Sequence, residues 1–155
     1  MKRLAEEIVK ESNQPGVTFM GRIGQRDLNQ RRLACGLACH PTMFTETGMI
    51  SVIEEMAMGC IPVLAPIWAA GEYAQNGVWI QGDPNDPLVM HRYVAEICNL
   101  AQHPELQTRI RTGMMPWARA RFNWEWMIDL MEQWMKEDAT IQNPVLGGEQ
   151  IQAAA

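Results

Sequence analysis

Glu46 and Glu54 stand eight positions apart within the stretch Pro41 to Pro66, which reads as a loop, a short helix and a buried strand. Between them, Gly48-Met49-Ile50-Ser51 falls where the helix begins. The first amides of a helix have no intrahelical acceptor, and with the helix dipole they make a ready anion site. Ile50, Ser51 and Glu54 share a helix face that is not the apolar one. At about 1.5 Å per residue, Glu54 lies roughly 6–9 Å along the axis from the first turn. A phosphate bound there would set Glu54 beside whatever the phosphate carries. A carboxylate accepts hydrogen bonds from paired hydroxyls, so a ribose fits that gap. Glu46 falls on the other side of the phosphates, where a sugar would lie. By spacing alone the plainer roles stand beside these: Glu46 a loop acid near a helix N-terminus, Glu54 a solvated helix residue, Ser51 a first-turn filler.

The elements that must position these residues follow from periodicity. From Ile50 to Met58, the apolar Val52, Ile53, Met56 and Ala57 recur at spacings of three and four, the mark of one helical face. Thr45, Thr47 and Gly48 supply capping and turn chemistry ahead of it, and Gly59 ends it. Ile61-Pro62-Val63-Leu64-Ala65 is a short apolar run bounded by prolines, as expected of a strand covered on both faces.

Around this unit, a helix is predicted over Lys2 to Glu11, a turn at Asn13 to Gly16, and a strand over Val17 to Met20. Arg22 and Ile23 then emerge at that strand's C-terminal edge, where open α/β sheets bind ligands. Asp27 caps a polar helix to Leu33, and Gly36 to His40 is the next strand. His40 is either a base beside the organising loop or a strand-end histidine bonded to backbone. After the buried strand come a loop and brief helix over Trp68 to Gln75, a turn at Asn76-Gly77, and a strand over Val78 to Gln81. Helices follow over about Leu88 to Ala101, Pro104 to Arg111 and Phe122 to Glu137. The last is rich in Trp and Met, and its wide apolar stripe reads as core or as a partner surface. From Ala139 on, Asn-Pro, Gly-Gly and the closing alanines predict a poorly ordered tail, so one domain over 1–137 and a tail over 138–155 are expected.

Several of these segments, in this order, resemble the donor-binding half of retaining GT-B glycosyltransferases of the family 4-like group. Glu46 and Glu54 with seven residues between them, followed by Glu-Met-Ala-Met-Gly-Cys-Ile-Pro-Val, look like that family's Glu-x7-Glu signature. Val17-Thr-Phe-Met-Gly21, Pro41-Thr42, Gly77-Val-Trp-Ile-Gln-Gly-Asp83 and Phe122-Asn-Trp124 resemble its neighbouring motifs, over about Val17 to Met135. The pattern departs at Gly48-Met49, at Glu55 and at Ala69-Ala70-Gly71-Glu72. The resemblance implies an α/β, Rossmann-like, doubly wound parallel sheet of about four strands with a helical C-terminus. It implies half of a GT-B fold, starting after that half's first strand and helix and lacking the acceptor domain.

It further implies Glu46 as the catalytic residue that holds the donor sugar and helps position its anomeric carbon. Gly48, Met49, Ile50 and Ser51 would hold the diphosphate, Glu54 the ribose, and Arg22 and Ile23 the base. The substrate implied is a nucleotide diphosphate sugar, with no cofactor and no metal. Activity without a second half is not expected. The competing reading is a non-catalytic interaction module, or the donor half of a split transferase. The Trp/Met-rich helix would then meet an acceptor-domain chain or a second copy.

Composition bounds the rest. The 155 residues are one domain's worth, and a net charge of −5 gives no footprint for nucleic acid or an anionic membrane. No window is long and apolar enough to span a bilayer, and the acids near the N-terminus do not fit a signal peptide. A cytoplasmic protein is expected. Cys35, Cys39 and His40 sit close in sequence, but no second pair at zinc spacing follows, so buried thiols are expected rather than a metal site.

Overall fold

A computed structural model describes residues 6–7, 10–45 and 47–140, with side chains up to residue 136. Its order is α1 (Gln25–Ala34), β1 (Leu37–His40), α2 (Ile50–Met58), β2 (Ile61–Leu64), α3 (Trp68–Tyr73), β3 (Val78–Trp79), α4 (Pro87–Gln102), α5 (Pro104–Arg121) and α6 (Trp124–Thr140). The sheet is parallel throughout, in the order β1-β2-β3, with Leu37 beside Ile61 and Val63 beside Val78. Each strand is joined to the next through a helix, the connection parallel strands require.

β2 is central and buried at every position, so its side chains need cover on both faces. On one face, Val52 and Met56 of α2 and Met114 and Ala118 of α5 close around Leu64. On the other, Val89, Tyr93 and Leu100 of α4 close around Val63 and Ile80. Pro62 stands in the middle of this strand although it has no N–H to donate. Ile61 N–H donates to Gly36 O, so by the alternation of the ladder Pro62 turns its nitrogen toward β3. β3 begins only at Val78, beyond that position, and no ladder bond is lost. Gly77 completes the fit, since a Cβ there would sit 3.0 Å from Pro62 Cγ and 3.1 Å from Pro62 O.

Three expectations are corrected. Val17–Met20 is not a strand: it is irregular and exposed, with Val17 at 52% and Phe19 at 62%. A short β segment needs a hydrogen-bonded neighbour, and this one pairs with none of the three strands, so the sheet has three strands among the described residues rather than about four. α5 does not stop near Arg111 but runs through Gly113 and Pro116 to Arg121. Burial of Met114 and Ala118 against α2 outweighs the bond that Pro116 cannot make. α6 continues to Thr140, so residues 138–140 are helical, and the remainder of the expected tail lies outside the described residues. The expected N-terminal helix is seen only at residues 6–7 and 10–11, its other positions lying outside the described residues.

Candidate functional site

α2 starts at the C-terminal edge of the parallel sheet, the edge at which open α/β sheets bind ligands. Neither Thr45 nor Thr47 caps it. The N-cap is Met49, with φ −83° and ψ 66° and no side-chain bond to the helix. Val52 and Ile53 amides donate to Met49 O, while the Ile50 amide turns back to Gly48 O at 3.0 Å. Among the described residues, no side-chain acceptor quenches the positive end of the helix. Gly48 and Ile50 are exposed, Ser51 and Glu54 half-buried, so one open face runs from the first turn to Glu54. Glu46, expected as the catalytic residue, lies outside the described residues.

Glu54 is not an isolated surface acid. Arg32 of α1 forms an ion pair with it, and the Gln25 side-chain amide approaches its two oxygens at 3.2 and 3.4 Å. Exposed Arg22 and half-buried Ile23 lie just before Gln25 in the chain and therefore enter this corner with α1 rather than from a strand end.

The next residue, Glu55, belongs to a group that the sequence reasoning missed. It is 7% exposed and bonds His40 Nε2 at 2.7 Å, and Arg32 Nε lies 3.8 Å from its other oxygen. Arg32 is itself 8% exposed, so one buried guanidinium serves two adjacent carboxylates and His40 braces the second. Buried charges need such partners. A signal was available: Glu55 lies three residues after Val52 and one before Met56, which puts it on the apolar stripe of α2. His40 ends β1 on the face that α2 covers, since Ala38 and His40 lie beside Pro62 and Leu64. A histidine held by a carboxylate has a fixed ring orientation and one nitrogen left for other work.

The other flank of α2 is different in kind. A cleft of about 460 Å³ is lined by Gly48, Ile50 and Ile53 of the loop and α2, by Glu72 and Tyr73, and by the aromatic wall of α6 with Phe122. Phe122 makes edge contacts with Tyr73 and Trp117, each at 5.5 Å between ring centroids, and Arg121 stacks over Trp126 at 4.4 Å. Ligand pockets have this size and this mostly apolar lining with a few polar groups. At the start of α3, whose Glu72 and Tyr73 line the cleft, Trp68 has a φ of 47°, the one non-glycine residue with positive φ among those described. Such strain concentrates at functional sites.

No group of three or more His, Cys, Asp or Glu side chains able to hold a metal ion occurs among the described residues. Burial pushes the Cys60 thiol up to about 12, with the Glu55 carboxylate adding to the effect, and pushes the Tyr93 hydroxyl up to about 12 as well. His91 is exposed, and His103 Nδ1 meets Asn99 O at 2.7 Å. None of the described helices is long and apolar enough to cross a membrane. Comparison with known proteins finds no matching family model and no matching curated protein.

Proposed function

We propose that this chain is the donor-binding domain of a retaining GT-B glycosyltransferase, holding a nucleotide diphosphate sugar for transfer to an acceptor bound by a second domain. The observation that carries the reading is the uncapped start of α2 at the C-terminal edge of the parallel sheet, with Glu54 along the same open face. In this reading the amides of Gly48, Met49 and Ser51 and the positive end of α2 meet the diphosphate. Ile50 lies against it with its own amide engaged in the turn. Glu54 takes the ribose hydroxyls: a carboxylate offers about four acceptor positions, and Arg32 and Gln25 fill only part of them while keeping it charged and oriented. Arg22 and Ile23 border the base, and Glu46 holds the sugar. Glycosyl transfer leaves a nucleoside diphosphate, and the helix start stabilises the charge that develops on it. Four free cysteines fit a reducing compartment, and we place the protein in the cytoplasm.

A second reading, a non-catalytic interaction module, draws on the exposed apolar face of α6, where Trp124 is 79% and Met135 70% exposed. Calorimetric titration with UDP- and GDP-sugars, on the chain and on Glu54→Ala, separates the two. The transferase reading expects binding that Glu54→Ala weakens about ten-fold or more, the loss of a charged hydrogen bond worth roughly 1.5–3 kcal/mol. Absence of binding at millimolar sugar nucleotide, or equal binding by the variant, rejects it.

A further inference from the structure

We infer that the outer face of α6 is a docking seam for an amphipathic partner helix with an apolar three-four repeat and a basic flank. Trp124, Ile128, Met131 and Met135 follow at spacings of four, three and four, and all are at least half exposed, at 79, 52, 51 and 70%. That alternation is the heptad seam of a coiled coil, on which a second helix seats its own apolar residues at a crossing of about 20°. The seam is some 16 Å long at the helical rise. It is distinct from the stripe that holds α6 to the body, where Trp126, Met127, Leu130 and Trp134 line the cleft. α6 therefore carries two apolar stripes, and only one is used among the described residues.

Charge identifies the occupant. With about 100° between successive residues, Glu132, Glu125, Lys136 and Asp129 follow one another along the border away from the cleft. Lys136 pairs with Glu132 at 3.5 Å, at a site where both side chains are largely exposed and the pair is weak. The border is net acidic, and Glu125 and Asp129 lack a cationic partner among the described residues. A second copy supplies no counter-charge. Packed antiparallel, it sets Glu125 and Glu132 against the same acids; packed parallel, it sets them against Met127 and Trp134. An anionic bilayer is repelled by the same border. A helix with Lys or Arg on the matching flank meets both the seam and its charge. The inference is independent of the nucleotide reading.

The test uses two synthetic helical peptides with the same three-four apolar repeat, one flanked by lysines and one by glutamates. Binding to the full chain is read by fluorescence anisotropy. The lysine peptide is expected to bind about ten-fold tighter or more, with a preference that shrinks as salt screens the pairs. Ile128→Ser/Met131→Ser should weaken it at least about ten-fold with unchanged far-UV circular dichroism. Glu125→Lys/Glu132→Lys, a surface change that leaves packing alone, should reverse the preference between the peptides. Equal binding of the two peptides, or binding of neither, overturns the proposal. So does sedimentation showing that the unmixed chain pairs with itself through Ile128 and Met131, which assigns the seam to a second copy. Capture by phosphatidylserine vesicles with no peptide preference assigns it to a lipid surface and overturns the proposal too.

Discussion

The two flanks of α2 are built on opposite principles. Toward α1 and β1, a buried guanidinium, two carboxylates and an imidazole hold one another through bonds that depend on direction and on charge balance. Toward α3 and α6, Phe122 meets Tyr73 and Trp117 edge to face and Arg121 lies over the Trp126 ring, contacts whose strength falls off gradually with displacement. The first flank is brittle because removal of one member leaves the others buried and unbalanced. The second is forgiving, because a lost ring costs only its own area and cavity. A site that must hold a hydroxyl pair at fixed geometry suits the first, and a cleft that admits a ligand of variable shape suits the second.

The sharpest way to break this comparison is Arg32→Met, which keeps volume and removes the shared cation. Urea unfolding should show a loss of about 3–5 kcal/mol, and the double variant Arg32→Met/Glu55→Leu should recover much of it. A loss below about 1 kcal/mol, or no recovery, would mean that this flank is no more brittle than the other. On the forgiving side, Phe122→Ala should cost about 2–3 kcal/mol, below the usual range for a fully buried Phe because Phe122 is only half-buried. No second substitution should restore it.

A third measurement follows stability into alkali. The Cys60 thiol is raised from 9.0 to about 12 and the Tyr93 hydroxyl from 10.0 to about 12, so folding favours the protonated form of each. That contribution is complete below the unfolded values and is lost as pH rises through the folded ones. Stability should therefore decline from about pH 9. One group can contribute at most about 1.4 kcal/mol per pH unit, and Cys60→Ala should remove most of the decline between pH 9 and 10 while leaving the part that belongs to Tyr93. The smallest effect is expected at Asn123, whose side-chain oxygen accepts from Trp126 N–H at 2.6 Å at the start of α6. Asn123→Ala should cost about 1 kcal/mol, the ordinary value of an N-cap, by thermal or urea unfolding.

Local pattern carried α2 and β2 from sequence to structure almost without change, because their apolar periods, Gly59 and Pro66 all point to the same answer. It failed where distance in sequence decides. Val17–Met20 has the composition of a strand, but composition does not supply a neighbour to pair with. Gly113 and Pro116 read as helix breakers, and only packing of Met114 and Ala118 on α2 keeps α5 intact. Glu54 was legible as a site residue, yet its partner Arg32 lies 22 positions away on a helix whose only buried residue is that arginine. Glu55 was passed over beside Glu54 although one residue turns a helix by about 100° and carries its carboxylate into the interior.

The open side of β1 has one more consequence. With Gly36 O accepting from Ile61, the amides of Leu37 and Cys39 turn away from β2 and face no further strand among the described residues. In deuterated solvent these two should exchange rapidly, while Ile61 and Val63, one strand away, exchange only when the sheet comes apart. A labelling experiment would thus record a sheet with a fast rim and a slow centre separated by a single strand spacing. Retardation confined to Leu37 and Cys39 on adding another polypeptide would be the signature of a strand laid alongside them.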